Sequence, residues 1–147
     1  MTITRITHSA EETIEFAVSF GKKLVGGEII AYRGGLGAGK TTFTRGLSIG
    51  LGLGDEVTSP TFALVNEYRG KINLIHFDMY RINGAADLET TGFYDYMDGD
   101  SVLAVEWSEN ISEELPVETI TVTIERIDDD TRRIIIEGDE RFADLGN

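Results

Sequence analysis

The chain has 147 residues, with 26 acidic side chains against 13 basic ones, a formal net charge of −13, 41% hydrophobic residues and no cysteine. That length and balance predict one globular domain over 1–147 with a single core. They exclude a disulfide framework and a thiolate metal site, and no apolar run is long enough to span a bilayer. A chain this acidic lacks the clustered Lys and Arg needed to grip a nucleic-acid backbone, and its charge suits docking on a basic partner. Met1 to Ser9 is short and polar and does not look like a signal peptide, so a cytoplasmic location is the default expectation.

Ser9-Ala10-Glu11-Glu12 reads as a capping box. The helix it opens is predicted to run to about Val25, with Ile14, Ala17, Val18, Gly21 and Leu24 on one face, until Gly26-Gly27 stops it. Glu28 to Tyr32 then reads as a strand. It leads into Gly34-Gly35-Leu36-Gly37-Ala38-Gly39-Lys40-Thr41, which fits G-x-x-x-x-G-K-[ST], the phosphate-binding loop. The residue types follow from the chemistry. Glycines let the backbone turn and bring its N–H groups close to phosphate oxygens. Lys40 is placed to reach the β- and γ-phosphates, and the Thr41 hydroxyl to ligate Mg²⁺. Thr42 to Leu51 reads as a helix with Phe43, Leu47 and Leu51 on one face, which puts a positive dipole end at the loop. Strand, loop and helix in that order is the context a phosphate loop requires.

Ser59-Pro60-Thr61 follows. Pro60 forces Ser59 into an extended or turn conformation. Its two flanking hydroxyls belong either to a segment facing the γ-phosphate or to a plain loop. Phe62 to Tyr68 and Ile72 to Phe77 read as a hairpin turning at Arg69-Gly70-Lys71. Its second strand ends in Asp78, a carboxylate where the Walker B acid holds or orients Mg²⁺ and its waters. Arg81, at the same rim, is either an ion-pair partner or a phosphate contact. Gly84 to Thr90 and Phe93 to Met97 read as short helices, the second contributing aromatics to the core, because no basic groove accompanies them.

Ser101 to Val105 reads as a buried strand ending in Glu106, a second strand-end carboxylate suited to ligating Mg²⁺ or positioning the attacking water. Trp107 reads as a cap on the core. After a helix or turn over Ser108 to Leu115, Thr119 to Ile124 alternates strictly and Arg132 to Glu137 returns, with a solvated acidic turn at Asp128-Asp129-Asp130. Asp139 to Asn147 reads as a frayed end. The pattern as a whole predicts an α/β, three-layer, P-loop-type fold with a mixed central sheet and antiparallel hairpins.

With these residues in view, the chain resembles the bacterial TsaE family, small ATPases of tRNA threonylcarbamoyladenosine biosynthesis. The resemblance covers about Thr7 to Arg133 and rests on four motifs: Leu-Gly-Ala-Gly-Lys-Thr-Thr (36–42), Ser-Pro-Thr-Phe (59–62), His-Phe-Asp-Met-Tyr-Arg (76–81) and Val-Glu-Trp (105–107). It implies that Lys40 and the loop residues Gly37, Ala38, Gly39, Thr41 and Thr42 bind ATP. It implies that Thr41 and Glu106 ligate Mg²⁺, that Asp78 is the Walker B acid, and that Ser59-Pro60-Thr61 acts as a switch, placing Thr61 among the catalytic residues. It further implies that the protein hydrolyses ATP while docked on the TsaB–TsaD pair, which carries out the transfer, and meets tRNA only through that complex. Gly35 stands where the family usually has Asp, and the Arg132-Arg133 pair is hard to align, with either one a candidate nucleotide contact. Two other functions compete with this one: a small-molecule kinase, which needs an acceptor pocket and usually an Arg-rich lid, and a non-catalytic nucleotide-gated binding module.

Overall fold

The computed structural model describes residues 1–35, 37–54, 57 and 65–146. In chain order the elements are β1 (Thr2–Thr7), α1 (Ala10–Gly21), β2 (Ile29–Arg33), α2 (Lys40–Gly50), β3 (Val65–Tyr68), β4 (Asn73–Asp78), α3 (Gly84–Thr90), β5 (Ser101–Glu106), β6 (Ile120–Arg126) and β7 (Arg132–Glu137). Short 3-10 turns cover Phe93–Tyr96, Ser108–Glu114 and Glu140–Leu145. Among the described residues the strands form one seven-stranded sheet in the order β1-β7-β6-β2-β5-β4-β3. Its centre is parallel: β2 lies between β5 and β6, and β4 runs alongside β5. The antiparallel β3–β4 and β6–β7 hairpins flank it. The mixed sheet with hairpins is thus as predicted. Of the predicted Phe62 to Tyr68 strand, residues 62–64 lie outside the described residues.

Strand alternation divides the interior in two. Ile30, Tyr32, Leu74, Val102, Ala104 and Val122 face α1 and α2 in one cluster. Ile29, Ile75, Phe77, Leu103 and Val105 face α3 and the 3-10 turns in the other. β5, covered on both faces, is buried at all six positions, the continuous apolar run expected of a central parallel strand. Helices α1 and α2 approach to backbone contact. A Cβ on Gly46 would lie 2.5 Å from the Ile14 carbonyl oxygen, and one on Gly50 2.5 Å from that of Val18. Phe20, Phe43 and Leu47 are fully buried along this seam, each contributing roughly 1.5–3 kcal/mol relative to exposure.

Two expectations need correcting, and one strand was not predicted. α1 ends at Gly21, not near Val25; the chain then tightens into i→i−3 bonds, Lys23 to Phe20 and Leu24 to Gly21. Its buried face is Thr13, Phe16, Ala17, Phe20 and Gly21, while Ile14 and Val18 are only half-buried, so the apolar stripe is rotated toward the two phenylalanines. Thr2–Thr7, for which the sequence predicted no element, is an edge strand antiparallel to β7, with Ile3 and Thr7 buried. The C-terminal end is docked, not frayed. Phe142 is buried and stacks on Phe20 with centroids 4.9 Å apart, and Arg141 pairs with the buried Glu28.

Candidate functional site

The C-terminal ends of β2, β5 and β4 open on one rim, the place where ligands gather in open α/β sheets. From Arg33 the chain enters the phosphate loop, and Gly39, at φ 112°, is the N-cap of α2. Gly34 lies against β6, where a Cβ would meet the Ile124 carbonyl oxygen at 2.5 Å, in a φ of 141°. Only glycine serves there. Lys40 is the first residue of α2 and is buried. Its Nζ donates to the Gly34 carbonyl at 3.0 Å, lies 3.8 Å from Glu106 Oε1 and sits 5.7 Å from the centre of the Trp107 ring.

Glu106, the last residue of β5, is also buried. Its Oε2 lies 2.6 Å from His76 Nε2. Burial pushes the Glu106 carboxyl up, but the hydrogen bond and field of His76 and the Lys40 ammonium more than offset it, leaving the group below its ordinary value of 4.5. Beneath them the Thr44 hydroxyl lies 2.7 Å from the Tyr32 hydroxyl and 2.8 Å from the Lys40 carbonyl oxygen. A carbonyl can only accept, so the single Thr44 proton goes to Lys40 O and the Tyr32 hydroxyl donates to Thr44. Burial raises the Tyr32 hydroxyl well above its ordinary value and keeps it protonated.

A cleft of about 340 Å³ lies over this network. It is lined by Gly37, Gly39, Lys40, Thr41, Thr42, Glu106 and Arg132. The structure therefore brings together most of the residues expected to touch a nucleotide. Ala38 is buried behind the loop, its carbonyl accepting from Arg132 Nε at 2.8 Å. Asp78 pairs in register with Glu106 at the ends of β4 and β5 but does not line the cleft; its carboxylate accepts from the Tyr80 N–H at 2.9 Å. Thr61, with Ser59 and Pro60, lies outside the described residues.

The two arginines left open by the sequence are told apart. Arg133 pairs with Glu125 on the surface. Arg132 donates to the carbonyls of Ala38, Asp128, Asp129 and Thr131, tying the tip of the β6–β7 hairpin to the phosphate loop. It also lines a second cavity of about 110 Å³ with Ser9, Ala10, Thr13, Gly39, Thr42, Asp129 and Asp130. The N-terminus of α1 thus edges the site. Its cap is a variant of the capping box: Ser9 Oγ accepts from the Glu12 N–H, and the Glu12 carboxylate accepts from the His8 N–H, one residue before the N-cap. Trp107 is the single described non-glycine residue with positive φ, at 59°, directly after Glu106; its ring meets Tyr80 edge-on at 4.9 Å. A strained backbone beside a site residue is a common mark of functional geometry. The sequence flags the capping box and the arginine pair, but neither the Trp107 backbone nor the His76 contact to Glu106. The one available signal was His76, a polar residue in the inward phase of an otherwise apolar strand.

Comparisons with known proteins point to one family and to the same fold. The family model described as threonylcarbamoyl adenosine biosynthesis protein TsaE matches residues 7–134. The tRNA threonylcarbamoyladenosine biosynthesis protein TsaE of Treponema pallidum (strain Nichols) is 36% identical over 131 residues, covering 89% of this chain and 97% of that protein. The protein of the same name from Bacillus subtilis (strain 168) is 41% identical over 122 residues, covering 82% and 72%. The crystal structure of Bacillus subtilis YdiB superposes with a TM-score of 0.78 at 34% identity, covering 99% of this chain and 91% of that one.

Proposed function

This chain belongs to the family of threonylcarbamoyl adenosine biosynthesis protein TsaE, and from that membership and the cleft we propose that it binds and hydrolyses ATP in support of threonylcarbamoyladenosine modification of tRNA. One observation carries the ATP reading: Lys40, Thr41 and Glu106 line a single cleft at the start of α2. A helix N-terminus with a buried ammonium beside it is an anion site, and polyphosphate is the anion that a phosphate loop fits. The phosphates take the cleft and the nucleoside takes the cavity between Arg132 and the start of α1.

Among the described residues no three His, Cys, Asp or Glu side chains form a self-sufficient metal cage. Mg²⁺ needs none, since it is held by one or two protein oxygens together with substrate phosphates and water. The Thr41 hydroxyl and the Glu106 carboxylate are hard oxygen donors on the same cleft, and Asp78, at the neighbouring strand end but off the cleft lining, would take part only by orienting water. Bound Mg²⁺ supplies charge neutralisation at the β- and γ-phosphates. The chain's own part is positional: loop N–H groups and Lys40 hold the phosphates, and the ionised Glu106 offers an acceptor without first losing a proton.

The protein acts on a TsaB–TsaD complex and is not itself the transferase, and tRNA is met only through that complex. The net charge of −13 supports this, because it opposes direct approach to a polyanion. The test is phosphate release from ATP by the purified chain, alone and with TsaB–TsaD. Slow release alone and faster release with the complex is expected. Transfer to a small-molecule acceptor would identify a kinase, and ATP binding with no hydrolysis in either case would identify a nucleotide-gated binding module.

A further inference from the structure

One fully buried side chain in the site has no part in the chemistry above. His76 lies in the same inward phase of β4 as Leu74, facing α1 and α2, where an aliphatic residue would leave no polar atom to satisfy. Its register partner on β5 is Ala104, whose small side chain leaves room for the ring; the next residue on that face of β5 is Glu106. His76 Nε2 meets Glu106 Oε2 at 2.6 Å, while Nδ1 is buried with no hydrogen-bond partner among the described residues. An ionised carboxylate only accepts, so Nε2 carries a proton. An unmet polar atom in a core is costly, and packing alone does not explain why a histidine stands here.

The ring is also held still. Tyr32 meets it edge-on at 6.5 Å, and the Tyr32 hydroxyl is anchored by Thr44. Glu106 therefore has one oxygen drawn into the core and the other, Oε1, 3.8 Å from Lys40 on the cleft side. Resting on the nucleotide-site reading above, we propose that His76 is a positioning residue for Glu106: its Nε2–H fixes one carboxylate oxygen so that the other stays aimed at the metal–phosphate position. Hydrogen bonds of this kind orient metal ligands, and losing one costs about 10- to 100-fold in metal affinity or activity.

The test is ADP affinity with and without Mg²⁺, read by the fluorescence of Trp107, the chain's only tryptophan, in wild type, H76L, H76Q and H76N. Gln carries an N–H to about the position of Nε2; Asn is too short to do so. Mg²⁺-free ADP affinity is expected to stay within about twofold of wild type in all three variants, because without the metal Lys40 and the loop N–H groups bind the phosphates and Glu106 makes no contact with them. The gain in affinity from Mg²⁺ is expected to fall by about tenfold or more in H76L and H76N and to be largely kept in H76Q. Adding Glu106→Ala to H76L is expected to cause no further loss, because His76 acts through Glu106. Should H76L fail to fold, the H76N and H76Q pair, both amides, decides the matter. A full Mg²⁺ gain in folded H76N, or a loss in H76Q equal to that in H76N, overturns the proposal. Wild-type protein that binds ADP with no gain from Mg²⁺ also overturns it. Wild-type protein that binds no ADP refutes the nucleotide site itself, and the positioning role with it.

Discussion

Lys40→Ala separates binding from folding, and its effect is worked from the geometry. The ammonium donates to the Gly34 carbonyl at 3.0 Å and lies 3.8 Å from Glu106 Oε1, with its side chain only 9% exposed. Removing it loses a charged hydrogen bond, about 1.5–3 kcal/mol. It also relieves the cost of keeping a cation out of water, which offsets much of that loss. Net destabilisation is expected near 1 kcal/mol, a fall of about 2–4 °C in melting temperature for a domain of this size. Binding has no such offset. A phosphate that enters the cleft without Lys40 is a desolvated charge lacking its partner, and truncating one member of such a pair costs about 2–5 kcal/mol. At 1.4 kcal/mol per decade that is about 30-fold to several thousand-fold in ATP affinity. The assay is an ATP titration followed by Trp107 fluorescence, with a thermal melt of the same sample. A folded Lys40→Ala protein with unchanged ATP affinity and turnover would refute the nucleotide-site assignment.

Further outcomes follow from the same cleft. Glu106→Ala is expected to lower single-turnover hydrolysis in the assembled complex by about 100-fold while changing Mg²⁺-free ATP affinity only a few-fold, because the loop N–H groups and Lys40 carry metal-free ground-state binding; unchanged hydrolysis would leave Glu106 a structural role only. Arg132→Ala frees the hairpin tip from the Ala38 carbonyl and is expected to weaken ATP binding by about tenfold, the worth of one charged hydrogen bond, which a direct titration measures. The Glu106 carboxyl lies below its ordinary value of 4.5, so its ionised form stabilises the fold above that pH and the contribution is lost as pH falls through the lower, folded value; thermal melts of Glu106→Gln should show a shallower acid limb than wild type. The isolated chain is expected to bind tRNA weakly at physiological salt yet to join a complex that binds it, and association with that complex should weaken as salt rises; tight, salt-sensitive tRNA binding by the chain alone would count against this.

Local pattern decided what was legible in the sequence. The described part of the phosphate loop, the α2 helix behind it and the carboxylates closing β4 and β5 are each set within a few residues; of the two carboxylates, Glu106 lines the cleft and Asp78 does not. The Arg132 contact to Ala38 spans 94 residues, and no local periodicity announces a guanidinium that crosses from a hairpin to a loop. β1 was missed because Thr2–Thr7 is short and mostly polar; its strand character comes from pairing with β7 at the far end of the chain. The α1 stripe was misplaced because Ile14 and Val18 compete with Phe16 and Phe20 for the buried side, and Gly46 and Gly50 of α2 decide the contest by letting the helices close up. The docked C-terminal end depends on Phe142 finding Phe20 and Arg141 finding Glu28, again across most of the chain.

The charge balance of the cleft bears on how fast such a protein turns over. Both cations that line it among the described residues are already engaged: Lys40 with the Gly34 carbonyl and Glu106, Arg132 with main-chain carbonyls of the loop and the hairpin. Incoming phosphate can draw Lys40 off a neutral carbonyl at small cost, because the ammonium exchanges one oxygen for a charged one. Arg132 cannot turn to the γ-phosphate without releasing the hairpin tip from the phosphate loop. On the proposed ATPase reading, a transition state that spreads charge over three phosphoryl oxygens would be met by one ammonium, the backbone N–H groups and a metal ion, without the extra cation worth about 10³–10⁵ in rate in phosphoryl-transfer enzymes that supply one. Slow hydrolysis by the isolated chain is the expected result. A stimulating partner has two physical routes: to insert a cation of its own, or to break the hold on Arg132 and turn it inward. Arg132→Ala distinguishes them, because stimulation survives the substitution on the first route and is lost on the second, while the slow unstimulated rate persists at saturating ATP in either case.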